Sequence, residues 1–245
     1  MNDEEFRLLD QIEDRHWWFT GKRLLLRALL GKGPADGRLL DLGCGTGGIL
    51  NDWSDRCVCI GVDRSHLAVQ ICRRRGLERM VRGDLGALPI ASGSCDWVLA
   101  LDVIEHLDDD VGFLTAAASL CAPGGRMLVA VPAYQALWSR HDETFQHRRR
   151  YSASQLEAVV RRAGLLPERI TYTNSLLFPV AALWRLLMSR TPLRRLAPKT
   201  DFLPVPAWLN HLLVAVYRLE ARLVARVNLP FGLSAVCIAT RPHAA

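Results

Sequence analysis

The chain has 245 residues, half of them apolar, with a formal net charge of +6, which excludes a disordered polymer and allows one full α/β core, alone or with an appendage. The surplus is local: Met1 to Ser175 hold 22 Lys and Arg against 23 Asp and Glu, while Leu176 to Ala245 hold nine against two. That asymmetry excludes a whole-surface nucleic-acid binder and points to a local anionic partner, such as a membrane surface or a phosphorylated substrate, or to ordinary solvated helix faces. Seven scattered cysteines behind no apolar leader exclude a disulfide framework, and the expected setting is reducing and cytoplasmic, with peripheral contact at the membrane left open.

Asn2 to Asp14 reads as a short charged helix. After His16-Trp17-Trp18-Phe19 a second helix is expected from Thr20, its cap, to Leu30, with Leu24, Leu25, Ala28 and Leu29 inward and Lys22, Arg23 and Arg27 partly outward. The aromatic cluster is either a packed staple or a lid over a ligand. Arg38 to Leu42 is the first strand. It runs into Asp41-Leu42-Gly43-Cys44-Gly45-Thr46-Gly47-Gly48, a carboxylate followed by a glycine bend that opens a helix, the build of a nucleotide site. Two cofactor classes fit: Gly43, Gly45 and Gly48 have the dinucleotide spacing, and Asp41 with Gly43, Gly45 and Gly47 has the acidic-x-Gly-x-Gly-x-Gly spacing of S-adenosylmethionine (SAM) sites.

Cys57 to Asp63 is the second strand, with Cys57 and Cys59 on one face as packing residues and no metal expected. Asp63 stands where a carboxylate can accept both ribose hydroxyls. Ser65 caps a helix to about Arg75, and a short strand at Met80-Val81 precedes Gly83-Asp84-Leu85. A carboxylate and an apolar residue there suit an adenine ring and its amine, which a dinucleotide fold does not call for. Asp96 to Leu101 is the fourth strand, leading into Asp102-Val103-Ile104-Glu105-His106. A helix from Asp110 to Cys121 closes on a Pro123-Gly124-Gly125 turn, and Arg126 to Val131 is the fifth strand. This alternation specifies a doubly wound parallel sheet.

Taken in order, Asp41 to Gly47, Gly61-Val62-Asp63, Gly83-Asp84-Leu85, Cys95 to Val98, Asp102 to His106 and Ala122 to Gly125 resemble the successive motifs of class I SAM-dependent methyltransferases over roughly Arg38 to Leu165. The opening Glu13-x-x-His16-Trp17-Trp18-Phe19 with Arg23, and Asp142 to Tyr151, resemble a bacterial subgroup of small-molecule or glycan-associated members. The resemblance implies a Rossmann-like α/β sheet, mostly parallel with an antiparallel last strand, N-terminal helices and a helical insertion before that strand. Residues 1–245 are then one domain, with a helical lid at 1–37 and an insertion at 174–232. It implies that Gly43, Cys44 and Gly45 hold the methionine end of SAM with Asp41 near its ammonium. Asp63 would take the ribose, Asp84 and Leu85 the adenine, and Leu101 and Asp102 would flank the cofactor; Arg64 would stack over adenine or, in the rival class, meet a 2′-phosphate.

If the acceptor is a hydroxyl, a histidine near neutral pKa is the natural base, and His106, His141 and His147 are the candidates, with Tyr134 beside them and His141 oriented by Asp142 and Glu143. The His147 to Arg150 run either holds an anionic substrate or pairs with carboxylates. Ser152 or Ser154 caps a helix ended by Gly164, Leu166 to Thr173 is the sixth strand, and Leu233 to Thr240 the seventh. Between them lie an apolar stretch, Leu176 to Met188, a basic proline-bearing stretch, Arg190 to Pro206, and a helix from Ala207 to Val227 with Leu212, Val216, Leu219 and Leu223 on one face and Arg218, Arg222 and Arg226 on another. This insertion reads as a cap, a dimer contact or a membrane-surface element. The expected activity is methyl transfer from SAM to a small-molecule or glycan- or lipid-linked acceptor, with no nucleic acid expected. The alternatives are a non-catalytic SAM-binding module and an NAD(P)-dependent oxidoreductase.

Overall fold

The computed structural model describes residues 3–84, 88–190 and 204–243. Its centre is one seven-stranded sheet in the order β3-β2-β1-β4-β5-β7-β6. The strands are β1 (Arg38–Leu42), β2 (Val58–Asp63), β3 (Met80–Arg82), β4 (Cys95–Leu101), β5 (Cys121–Pro132), β6 (Leu166–Thr173) and β7 (Ser234–Thr240). The first five run parallel and β7 lies antiparallel between β5 and β6. Central strands covered on both faces are apolar without alternation, and Leu39, Leu40 and Leu42 of β1 and Val98, Leu99 and Ala100 of β4 are buried accordingly. Strand order reverses between β1 and β4, so the crevice for a ligand opens beyond their carboxyl ends. The Rossmann-like expectation for the fold is therefore met.

The flanking helices are α1 (Asp3–Ile12), α2 (Trp17–Leu30), α3 (Gly48–Asn51), α4 (His66–Arg74), α5 (Asp110–Leu120), α6 (Arg140–Thr144), α7 (Ala153–Arg162), α8 (Phe178–Arg190) and α9 (Ala207–Val224). Helix α2 starts at Trp17, three residues before the expected Thr20 cap, because the His16 imidazole accepts the Trp18 amide at 3.3 Å; the aromatic run is thus the helix's first turn. Ser65 and Ser152 cap α4 and α7 as read, Ser152 in a reciprocal capping box with Gln155. The Pro123-Gly124-Gly125 segment does not end before the fifth strand but lies within it as a bulge, with Cys121 opposite Cys95 and Arg126 opposite Trp97. Cys57 and Cys59 pack side by side, their sulfurs 3.8 Å apart.

In helix α9, of the residues read as sharing one face, Leu212, Leu219 and Leu223 are exposed and Val216 is half-buried, while Val214, Tyr217, Glu220 and Val224 are buried. Two features set which stripe is covered. Gly21 of α2 lets the Tyr217 ring approach so closely that a Cβ there would stand 2.4 Å from ring carbons. Glu220 turns inward to accept the backbone amides of Ser175 and Leu176, both at 3.0 Å, which the chain leaving β6 leaves free. No helix among the described residues is long and apolar enough to cross a membrane. Most of the basic stretch read at Arg190 to Pro206 lies outside the described residues, as does Leu85.

Candidate cofactor and acceptor site

The glycine turn after β1 is pinned to β2: the amides of Gly43 and Cys44 donate to the Val62 carbonyl at 2.8 and 3.0 Å. The Gly45 amide donates to Asp63 Oδ2 at 3.0 Å, while Ser65 donates its amide to Oδ1 at 2.8 Å. Gly43 and Gly45 have φ of 79° and 55°, which the bend requires. Above the turn the Thr46 hydroxyl donates to Glu13 Oε2 at 2.5 Å, and a Cβ at Gly48 would stand 2.4 Å from that carboxylate. Arg75 of α4 holds Glu13 from behind at 3.3 Å. A segment from before α2 thus closes over the turn, an arrangement carried by Glu13 rather than by the aromatic run alone.

Asp41 lies at the floor, buried, with Oδ1 lacking a hydrogen-bond partner. Burial pushes its carboxyl up to about 7, against the opposing pull of Lys22. Lys22, expected to turn partly outward, is partly exposed and reaches Asp102 Oδ2 at 2.5 Å. Burial acts against the charge on both partners, but each holds the other ionised: the Lys22 ammonium is raised and the Asp102 carboxyl lowered from their ordinary values. Asp102 has φ of 55°, a left-handed conformation that turns the chain sharply at the end of β4.

Asp41, Gly43, Cys44, Gly45, Leu101 and Asp102 line one cleft of about 220 Å³ together with Glu13, Trp18, Phe19, Lys22, His106, His141, Phe145, His147 and Arg185. Three of the histidines read as catalytic candidates therefore converge: the His106 and His147 ring centroids are 4.8 Å apart, and those of His141 and His147 5.9 Å. Burial and the neighbouring His147 push His106 down to about 4. Glu105, beside it, is fully buried and neither carboxylate oxygen has a hydrogen-bond partner; burial and then Asp102 raise its carboxyl well above the ordinary value.

Asp142 orients His147 and not His141 as expected, accepting from Nδ1 at 2.8 Å. The reason is the loop after α6: Arg150 Nε and Nη2 clamp Asp142 at 2.8 and 2.9 Å and the Ser139 amide caps it at 2.8 Å, leaving one direction for an imidazole. Against the upward pull of burial, these contacts hold its carboxyl below the usual range. His141 packs on Phe145, with centroids 4.5 Å apart.

The basic run takes the carboxylate-paired alternative. Arg148 pairs with Asp108 and donates to the His106 carbonyl, Arg149 reaches Asp110 and the carbonyls of Leu107 and Asp108, and Arg150 is sealed on Asp142. Tyr134 is not in the cleft wall; it stacks on Tyr172 at 5.2 Å, and burial, then that partner, raise its phenol. Asp84 and Arg64 lie outside the wall too, their charges 3.6 Å apart and both largely exposed, so Arg64 meets a carboxylate where a stack or a phosphate contact was read. Glu105, Lys22 and Arg185 are wall or near-wall residues that the sequence did not single out, while Trp18 and Phe19, from the aromatic run read as a staple or a lid, line the wall.

Residues 15–168 match the family described as methyltransferase domain. Among curated relatives, the chain is 34% identical over 122 residues to tRNA (carboxymethyluridine(34)-5-O)-methyltransferase ALKBH8 of Mus musculus, covering 49% of this chain and 18% of that protein. It is 28% identical over 164 residues to a protein of Mycolicibacterium smegmatis named as an S-adenosylmethionine-dependent methyltransferase, covering 64% and 63%. The chain thus spans less than two thirds of the length of these relatives. Among solved structures, the Haloferax volcanii complex of the Trm112 methyltransferase activator with its methyltransferase partner superposes with a TM-score of 0.65 at 21% identity, over 99% of this chain and 96% of that one, a likeness of fold.

Proposed function

The chain belongs to the methyltransferase domain family, and from that premise we propose that it transfers the methyl group of SAM to a small-molecule or glycan- or lipid-linked acceptor by direct in-line displacement. The observation that carries the reading is the pairing, across one cleft, of an orphaned carboxylate oxygen on Asp41 with a wall of three imidazoles. The residues fit the cofactor. Asp41 Oδ1, buried and unpartnered, is a seat for an ammonium. At Gly45 a side chain would meet nothing within 4 Å, so the turn is open to close approach. Asp63 uses one lone pair on each oxygen for an amide and keeps others for two ribose hydroxyls.

When bound, SAM supplies an electrophilic methyl on a sulfonium, and attack on it needs alignment more than covalent help. The chain's contribution is therefore positional. Asp41 and the turn hold the amino-acid end, Lys22 fixes Asp102 at the end of β4, and Trp18 and Phe19 at the start of α2 exclude water from that side. His141 and His147, both in the cleft wall, can each take a proton from an acceptor hydroxyl, whereas His106, pushed down to about 4, is a weak base.

The test is calorimetric titration with S-adenosylhomocysteine, then transfer of labelled methyl from SAM into water-soluble and lipid extracts. Expected are cofactor binding and label in a low-molecular-weight or lipid fraction. Stabilisation by a nicotinamide cofactor instead would establish the oxidoreductase alternative, and binding without turnover the non-catalytic one.

A lipid-linked acceptor is favoured by α8 and α9. Val180, Leu183, Trp184 and Leu187 form an exposed apolar stripe on the helix whose Arg185 lines the cleft, and on α9 exposed Leu219 and Leu223 alternate with exposed Arg218 and Arg222. Sedimentation with vesicles containing phosphatidylserine should capture the protein. Neutralising Arg218, Arg222 and Arg226 together should release it, whereas a stable dimer burying these stripes would refute lipid contact.

A further inference from the structure

Glu105 is the most anomalous side chain in the described structure. It is fully inaccessible and has no hydrogen-bond partner on either carboxylate oxygen, an unfavourable state for a buried carboxyl group. It is aimed at a pair of imidazoles: one donor atom each from Glu105, His106 and His147 lie within 4.8 Å of one another. We propose that these three side chains bind a first-row divalent cation, and that this cation holds the oxygen of the acceptor in the cleft for the reaction inferred above.

Three features beyond the cluster support the assignment. One imidazole has a ring position occupied from outside: Asp142 accepts from His147 Nδ1 at 2.8 Å. A carboxylate or carbonyl on the far nitrogen is how metal-ligating histidines are held, because it fixes the tautomer and sharpens the other nitrogen as a donor. Asp142 is itself immobilised by Arg150, which gives His147 a rigid support. Two nitrogens and one carboxylate are a donor set for manganese, iron or zinc rather than calcium, and they leave coordination positions for an acceptor facing the cleft. Bringing the donors to about 2.1 Å from a common centre requires inward side-chain movements on the order of 1 Å, within reach of rotamer adjustment. A cation there lowers the pKa of a coordinated hydroxyl. The proton goes to buffer, the oxygen forms the new bond to the methyl carbon, and the carbon–sulfur bond breaks to leave neutral S-adenosylhomocysteine.

The cation site and the methyltransferase reading fail separately if both are measured on one sample. Chelator-treated protein is titrated with Mn2+ by electron paramagnetic resonance and, in parallel, with S-adenosylhomocysteine by calorimetry. Expected is one equivalent of bound Mn2+ with nitrogen couplings from two imidazoles in the pulsed spectrum. Affinity should fall at least tenfold in Glu105→Gln and His147→Ala, and by tenfold or more in Asp142→Asn. The pulsed spectrum of the unaltered protein keeps the test decisive if a variant fails to fold. Absence of stoichiometric binding of Mn2+, Fe2+ or Zn2+ at millimolar concentration, or binding without imidazole coupling, overturns the cation site. If S-adenosylhomocysteine still binds in that case, the methyltransferase reading stands with a histidine base in place of the cation.

Discussion

Lys22 Nζ lies 2.5 Å from Asp102 Oδ2, joining two residues 80 positions apart across the wall of the cleft. The pair is partly exposed, so its stabilisation of the fold is small, below about 1 kcal/mol. Its influence on the ligand is larger in relative terms, because the ammonium lowers the negative potential that Asp41 and Asp102 present to a cation.

The cofactor is a cation and its product is neutral. Lys22→Met should therefore favour SAM over S-adenosylhomocysteine. At a screened separation of several ångströms the effect is about 1 kcal/mol, roughly a fivefold shift in the ratio of dissociation constants. Calorimetry of both ligands against both proteins measures it. An unchanged ratio would mean that Lys22 does not sense the sulfonium.

Asp41 gives the cofactor site a pH signature. Its carboxyl titrates at about 7 in the folded chain against an ordinary 3.8, so the folded state binds an extra proton between those values. For this group folding stability falls as pH rises through that window. A ligand ammonium reverses the preference by pairing with the ionised form. Binding of S-adenosylhomocysteine should release up to one proton near pH 6.5 and weaken as pH falls from 8 to 6. The thermal shift it produces should be larger at pH 8 than at pH 6, and Asp41→Asn should abolish the dependence. A dependence of opposite sign would place the ammonium elsewhere.

The alternation of strands and helices, the glycine turn and the carboxylates at the ends of β1 and β2 were legible in the sequence because each is a local pattern with a local physical cause. Which imidazole Asp142 serves was not, since that depends on Arg150 clamping it from the following strand bridge. Nor was the pairing of Lys22 with Asp102, because its partner stands 80 positions away at the end of β4. Helix α9 shows the limit most plainly: leucines at helical spacing pointed to one face, but a buried carboxylate with two amides to satisfy and a tyrosine fitted to a glycine chose another. Periodicity reports where apolar residues lie, and tertiary partners decide which stripe is covered.

Glu220 should prove indispensable to the fold. Its carboxylate accepts the Ser175 and Leu176 amides at 3.0 Å each, in a fully covered position. Glu220→Ala removes both acceptors and leaves two donors unpaired, the Ser175 amide buried at about 1–3 kcal/mol and the part-buried Leu176 amide at less. Glu220→Gln keeps one oxygen to accept and should cost about half as much. Urea unfolding of the three proteins should rank them native, Gln, Ala, with the slopes unchanged. Equal stability of the alanine variant would mean that water replaces the carboxylate.

Gly21 and Tyr217 make a complementary test of the same interface. Alanine is the better helix former, and in an open helix Gly21→Ala would stabilise by up to about 1 kcal/mol. Here the added methyl would stand 2.4 Å from the Tyr217 ring, which is itself buried, so α2 and α9 must separate or the ring must leave its rotamer. The substitution should therefore destabilise by about 1–3 kcal/mol, the ordinary cost of overpacking. Tyr217→Leu alone leaves a void and also destabilises. In the double variant the methyl enters space vacated by the ring, so the two losses should combine to less than their sum. A double-mutant cycle in urea measures that coupling. Because α2 carries Lys22, relief of the overpacking should restore the cofactor affinity lost in Gly21→Ala along with stability. Independent, additive losses would show that the two helices do not bear on each other at this point.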